Sequence, residues 1–357
     1  MALSIPVDHP LRYFAVASLT PVLLIALGAI FGGVMALIAL TYMTALAFGL
    51  DEAVVRLAPA LDEDEVAQDA DRLSATLAVS HFALLALVVF ALSGGTGLGV
   101  GSVVVVFLSA GLFFGQVSNS NAHELIHRGD RKLRWLGVWV YISLLFGHHS
   151  SAHPKVHHRF VATPDDPNSA RQGETFYDFA PRAWVGSFVA GYEMEKHDLS
   201  RKSGRGLNPY VIYIAGAALM LVLAVLIGGF GGLIGYLLVC MHAQMQLLLS
   251  DFVQHYGLQR AKREDGSYEP VSAHHSWNAP HWFTSHLMLN APRHSDHHAH
   301  PMRPYPALRL PTAMEAPMLP YSLPAMATLA LIPSLWNRVM TRALTRWHQQ
   351  LSQSTHD

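Results

Sequence analysis

Residues 13–50 read YFAVASLTPVLLIALGAIFGGVMALIALTYMTALAFGL, without one charged side chain. About 20 apolar residues cross a bilayer as a helix, and this run is nearly twice that length. Gly32-Gly33 falls near its middle, so the run predicts two spans, about 14–31 and 34–50, folded back at the glycines. Residues 76–93 and 99–119 repeat the plan around Gly94-Gly95-Thr96-Gly97. Residues 209–228 and 231–250 repeat it again around Gly228-Gly229-Phe230-Gly231-Gly232. The expected fold is therefore an all-α integral membrane protein, one domain over 1–357, with six transmembrane helices arranged as three hairpins. Residues 135–147 are too short to span and are expected at the membrane interface. Residues 316–336, broken by Pro317, Pro320, Pro324 and Pro333, are expected to be re-entrant or surface-lying. Asp8, His9 and two prolines precede an apolar run far longer than a signal peptide's, so no cleaved leader is expected.

Charge placement sets the orientation. Every Lys and Arg lies in the N-terminal tail, in 51–75, in 120–207 or from 251 onward, and none lies in the glycine turns. With six spans these four regions share one side, which the positive-inside rule makes the cytoplasmic side of a bacterial inner membrane. The acidic run Asp62-Glu63-Asp64-Glu65 leaves 51–75 reading as a solvated linker.

Composition narrows the function. Hydrophobic residues make up 51% of the chain and charged residues 14%, against about 25% charged in soluble domains. A net charge of -1 gives no surface suited to nucleic acid. The one cysteine, Cys240, excludes an internal disulfide, a four-cysteine iron site and an Fe–S cluster in this chain. Any electrons must come from outside.

Histidine is the exceptional residue: 22 of them, against 24 Lys and Arg together. The fourth span runs into His123-Glu124-Leu125-Ile126-His127, whose i, i+4 imidazoles share a helix face and can share a metal. His153-Pro154-Lys155-Val156-His157-His158 repeats the spacing. The sixth span ends at His255, and His294-Ser295-Asp296-His297-His298 adds i, i+3 and i+4 spacing. The plan brings these four clusters, in segments 120–207 and 251–310, to one membrane face. Nine imidazoles exceed the needs of one tetrahedral zinc and fit two metal ions with open positions, although ligand type alone does not choose the metal. Glu124, Asp166, Asp251 and Asp296 are candidates for orienting the imidazoles, Glu124 and Asp296 being the catalytic candidates. His148, His149, His242, His274, His275, His281, His286 and His300 read as hydrogen-bonding or structural. His9, His81, His197, His348 and His356 read as incidental.

At this point the sequence resembles the membrane alkane 1-monooxygenase family, within the histidine-box class of desaturases and hydroxylases. The resemblance is carried by Asn121-Ala122-His123-Glu124-Leu125-Ile126-His127-Arg128 and by the run from His157-His158-Arg159 to Asp165-Asp166-Pro167. His255-Tyr256-Gly257-Leu258, His275-Ser276-Trp277-Asn278 and Arg293-His294-Ser295-Asp296-His297-His298-Ala299-His300-Pro301 complete it. It implies two non-haem irons and O2-dependent hydroxylation of an alkane or similar lipophile. It also implies electrons from a rubredoxin or ferredoxin and its NAD(P)H-dependent reductase. The ligands it implies are His123, His127, His153, His157, His158, His255, His294, His297 and His298. Three places depart from the pattern: Ala152 stands where a Glu is common, Val156 where a Gly is common, and Asp251-Phe252-Val253-Gln254-His255 replaces Asn-Tyr-x-Glu-His. These spare the imidazoles and alter what surrounds them. Arg128, Arg131, Lys132 and Arg134 could dock an acidic carrier, or simply anchor the membrane edge. A desaturase or methylarene hydroxylase would share the site; a zinc protease would use Glu124 as base but leave the later histidines idle. A metal transporter would place its ionisable groups along the spans.

Overall fold

The computed structural model describes residues 11–54, 59–201 and 206–354; His9 and His356 lie outside them. All regular structure among these residues is helical, apart from two isolated bridges, Lys262–Tyr268 and Asn278–Met318. Five helices are long and apolar enough to cross a membrane: α1 Leu11–Phe31, α2 Gly33–Ala53, α3 Glu63–Leu92, α4 Val100–Ile126 and α8 Pro209–His255. Between and after them come α5 Arg131–Ser143, α6 over 149–160, α7 Phe176–Arg201, α9 Trp282–Leu287, α10 His294–Ala299, α11 Leu323–Ala330 and α12 Pro333–Ser354. Val34, Val100, Leu226 and Phe230 are each at least two-thirds exposed on the long helices. An apolar surface of that extent belongs against lipid, and the protein is an integral membrane protein.

Helix α8 is two arms. Gly228 and Gly229 leave helical geometry, and Gly229 takes φ 58°, ψ -148°. Gly32, between α1 and α2, takes nearly the same conformation, φ 62°, ψ -152°. That region is open essentially to glycine alone. A Cβ added at Gly232 would lie 2.6 Å from the Ala224 carbonyl oxygen. In a straight helix residues eight apart are separated by about 12 Å, so the chain doubles back there. The three glycine turns also meet. The Gly33 amide donates to Ser102 Oγ (2.9 Å), and Gly228 packs on Ser93 beside the second turn. One end of the bundle is thus built of glycine turns, and the histidine-bearing ends of α4 and α8 lie at the other.

Two local expectations change. Residues 63–75 are the first turns of α3, not a linker. The Asp62 side chain accepts the amides of Asp64 and Glu65, and Glu63, Asp64 and Glu65 fill the first turn, where negative charge complements the helix dipole. Residues Arg131–Ser143 form α5, whose Val140, Tyr141 and Ile142 are fully buried against the bundle and whose Gly137 lets it approach the Ala122 carbonyl. His81 is not incidental. Buried in α3, it bridges Ser118 (2.9 Å) and Ser143 (2.8 Å), tying three helices together.

Candidate metal centre

The nine clustered histidines assemble into two groups at the polar end of the bundle. His123, His127, His153, His158 and His297 form one; His157, His255, His294 and His298 form the other. The division keeps two i, i+4 pairs together, His123 with His127 and His294 with His298, and splits the third, His153 from His157. Residues His153–His157 form a π turn, whose wider i→i+5 period brings His153 over His158 rather than His157. Pro154 lies in that turn and has no amide hydrogen to close a tighter one. Two adjacent pairs, His157-His158 and His297-His298, therefore each straddle the two groups. The groups abut, with the His158 and His298 ring centroids 4.6 Å apart.

Within the first group Nε2 atoms converge: His123–His153 at 2.8 Å, His153–His158 at 2.9 Å and His158–His297 at 3.0 Å. In the second, His294 Nε2 lies 3.0 Å from His255 and 3.1 Å from His298. Burial first, then the neighbouring imidazoles, hold His153, His158, His294, His297 and His298 well below the ordinary histidine range. They are neutral at pH 7, and converging neutral lone pairs are ligand-ready. The buried Nε2 atoms of His127 and His157 have no hydrogen-bond partner, a costly arrangement unless a cation takes them. Two nitrogens at right angles about a cation ~2.1 Å away lie ~3.0 Å apart, so the observed spacing fits metal ions.

The other side of two rings is held in place. His157 Nδ1 meets Asp166 Oδ2 at 2.9 Å, and Asp166 also accepts from Ser169 Oγ and the Asn168 amide. Burial alone would lower the His157 pKa, but the Asp166 carboxylate outweighs it and the pKa is raised. Burial pushes the Asp166 carboxyl up, yet His157 and the hydrogen bonds to it hold its pKa below the usual value. His255 Nδ1 donates to the His275 carbonyl (3.1 Å). Such partners fix ring orientation and tautomer.

The other three carboxylates point elsewhere. Glu124 accepts from Arg128 (2.6 Å) and the Tyr305 amide (3.0 Å). Asp296 binds Arg303 (2.6 Å), His300 (3.1 Å) and the Arg309 amide (2.8 Å), organising the 300–309 loop. Asp251 accepts from Asn168 (2.6 Å). None of the three joins either group, so the expectation that Glu124 and Asp296 serve the imidazoles does not match their contacts. Arg128 is likewise no docking residue: it is buried between Glu124 and Asp71. Sequence reasoning missed Asn278, which accepts the Ser295 amide (3.0 Å) and donates to Ser295 Oγ (2.7 Å), fixing the start of α10. Its place in the His-Ser-Trp-Asn string was the available signal.

Beside the two groups lies a small cavity of about 50 Å³. Its lining joins His123, His153 and His294 to the apolar Leu247, Met288, Ala291 and Leu323 and to the polar Asn119, Gln254 and Asp251. His149, in the same wall, stacks on His153 at a centroid distance of 5.0 Å.

Residues 99–330 match the family described as fatty acid desaturase. An alkane 1-monooxygenase of Alcanivorax borkumensis is 32% identical over 68% of this chain and 64% of its own length. That of Acinetobacter baylyi is 36% identical over 69% of this chain and 60% of its own. The xylene/toluene monooxygenase hydroxylase component of Pseudomonas putida is 29% identical over 64% of this chain and 61% of its own. This chain thus spans a little over three-fifths of the length of these relatives. The match covers α4 through α11 and every clustered imidazole, and the chain belongs to the fatty acid desaturase family.

Proposed function

We propose that this protein is a di-iron monooxygenase of the bacterial inner membrane that hydroxylates the terminal carbon of an alkane to a 1-alkanol. The observation that carries the reading is the pair of all-imidazole groups set against a cavity to which Leu247, Met288, Ala291 and Leu323 give an apolar part. His123, His127, His153, His158 and His297 would hold one iron, and His157, His255, His294 and His298 the other. The irons would supply activation of O2, with one oxygen entering the substrate, the other leaving as water, and two electrons and two protons arriving from outside. The protein's share is position and exclusion. His157 and His255 are fixed by Asp166 and the His275 carbonyl, and Leu247, Met288 and Leu323 offer a hydrocarbon chain apolar contact beside the imidazoles. The six helical arms are read as six spans of one domain, with the histidine end in the cytoplasm. There a rubredoxin-type carrier and its reductase can deliver electrons that a chain with only Cys240 cannot generate.

A zinc protease is disfavoured because Glu124, its general base, is engaged by Arg128 and the Tyr305 amide. A transporter is disfavoured because the imidazoles gather at one end instead of along the spans. The similarity to the xylene/toluene enzyme component keeps methylarenes as a second substrate class. The deciding experiment is whole-cell turnover with a carrier and its reductase co-expressed, offering an alkane series, a fatty acyl chain and a methylarene side by side. A 1-alkanol as the main product supports the reading; desaturated acyl product or benzylic alcohol alone overturns it.

A further inference from the structure

Helix α12 has two unlike faces. Trp336, Met340, Leu344 and Trp347 are buried on one of them. Trp336 packs on Phe252 and Tyr256 at centroid distances of 5.1 and 5.0 Å, Leu344 lies against Gly257, and Trp347 meets His274 at 5.5 Å. These contacts lay α12 over the end of α8, beside His255 and the His275 carbonyl that holds its ring.

The other face is exposed and carries Arg338, Arg342 and Arg346 at i, i+4 and i+8. At 3.6 residues per turn, Leu335 and the three arginines fall within about 80° of one another around the helix. Helix α12 contains no Asp or Glu, and none of these guanidiniums has an ion pair or hydrogen bond among the described residues.

What that face meets is set by where α12 begins. Leu331, Ile332 and Leu335 are between 40% and 48% exposed, and the Leu331 carbonyl accepts the Tyr177 hydroxyl (2.9 Å). Tyr177, Trp184 and Tyr192 are exposed along one face of α7, and Tyr321 is exposed ahead of α11. Exposed tyrosine and tryptophan of this kind collect where a membrane meets water. Helix α12 thus starts in that aromatic belt, and the face that opens with Leu335 continues as arginine one turn later. Apolar side chains followed by cationic ones along one face match the passage from acyl chains to lipid phosphates.

We infer that the outer face of α12 binds the headgroups of anionic phospholipids through Arg338, Arg342 and Arg346, and that this clamps the helix over the His255 end of α8. The occupant is lipid because the stripe is continuous with the belt, and it is anionic because three unpaired guanidiniums face it with no acidic residue between them. The inference does not depend on the proposed reaction.

The test is amide hydrogen exchange of the full-length protein in nanodiscs of phosphatidylcholine, alone or mixed equally with phosphatidylglycerol. Phosphatidylglycerol should slow exchange in peptides over 338–350 roughly tenfold, and exchange over 252–258 should slow with it. Replacing the three arginines together, Arg338→Gln, Arg342→Gln and Arg346→Gln, should abolish the difference. Lysine at the same three positions should keep it, which separates lost charge from a lost fold. No effect of phosphatidylglycerol on the wild-type protein, or an effect that survives the glutamine variant, overturns the inference. Equal protection by soluble glycerol phosphate in phosphatidylcholine discs would make the stripe a site for free anions, and protection by an acidic carrier protein but not by phosphatidylglycerol would make it a protein-docking face. Either result overturns lipid binding. Slowing over 338–350 with none over 252–258 overturns the clamp.

Discussion

His153 and His158 stand five residues apart in sequence and face each other with their Nε2 atoms 2.9 Å apart. The π turn between them makes this possible and sends His157 to the other group. Neighbouring imidazoles therefore belong to different groups, each proposed to hold one iron. His157→Ala and His158→Ala should each leave an inserted protein holding about one iron in place of two, with the spectroscopic signature of a coupled pair lost in both. Retention of the full metal complement by either variant would remove that residue from the ligand set.

Asp166 bonds a clustered imidazole, His157, whereas Asp296 bonds only His300, which lies outside the two groups. Asp166→Asn should weaken metal binding or turnover about 10–100-fold, measured by metal retention under chelator challenge. Asp296→Asn should leave metal retention near wild type and loosen the 300–309 loop, seen as faster amide exchange there. Equal metal loss in the two variants would contradict the assignment.

Glu124 sits inside a first-box string that elsewhere reads as a metalloprotease base, but its contacts here are structural. Glu124→Gln leaves Arg128 buried with only Asp71 as a charged partner. Breaking a buried pair in this way costs about 3–5 kcal/mol. A lowered unfolding temperature with iron still bound in the folded fraction is expected. Iron loss without destabilisation would return Glu124 to the metal site.

The hairpins were legible because glycine pairs such as Gly32-Gly33 and Gly228-Gly229 interrupt runs too long for one span, and the turns adopt conformations that need them. The identity of the clustered histidines was legible from their spacing. Their division was not, since a π turn leaves no mark on an i, i+4 pattern beyond Pro154. Nor could spacing show that Glu124 and Asp296 turn away from the imidazoles, because their partners Tyr305 and Arg309 come from a distant loop. His81 looked idle because Ser118 and Ser143, its partners, lie on other helices.

The proposed sidedness rests on the charge pattern. Reporter fusions after Gly95 and Gly231 should read periplasmic, and fusions after Arg134 and Arg309 cytoplasmic. Opposite readings at Arg134 and Arg309 would separate the first and last histidine clusters across the bilayer, which their contacts forbid.

The central claim, that nine imidazoles hold two irons, is tested most directly by metal analysis of the purified wild-type protein. About two irons per chain with little zinc is the expected result. About one zinc per chain and no iron would contradict the account.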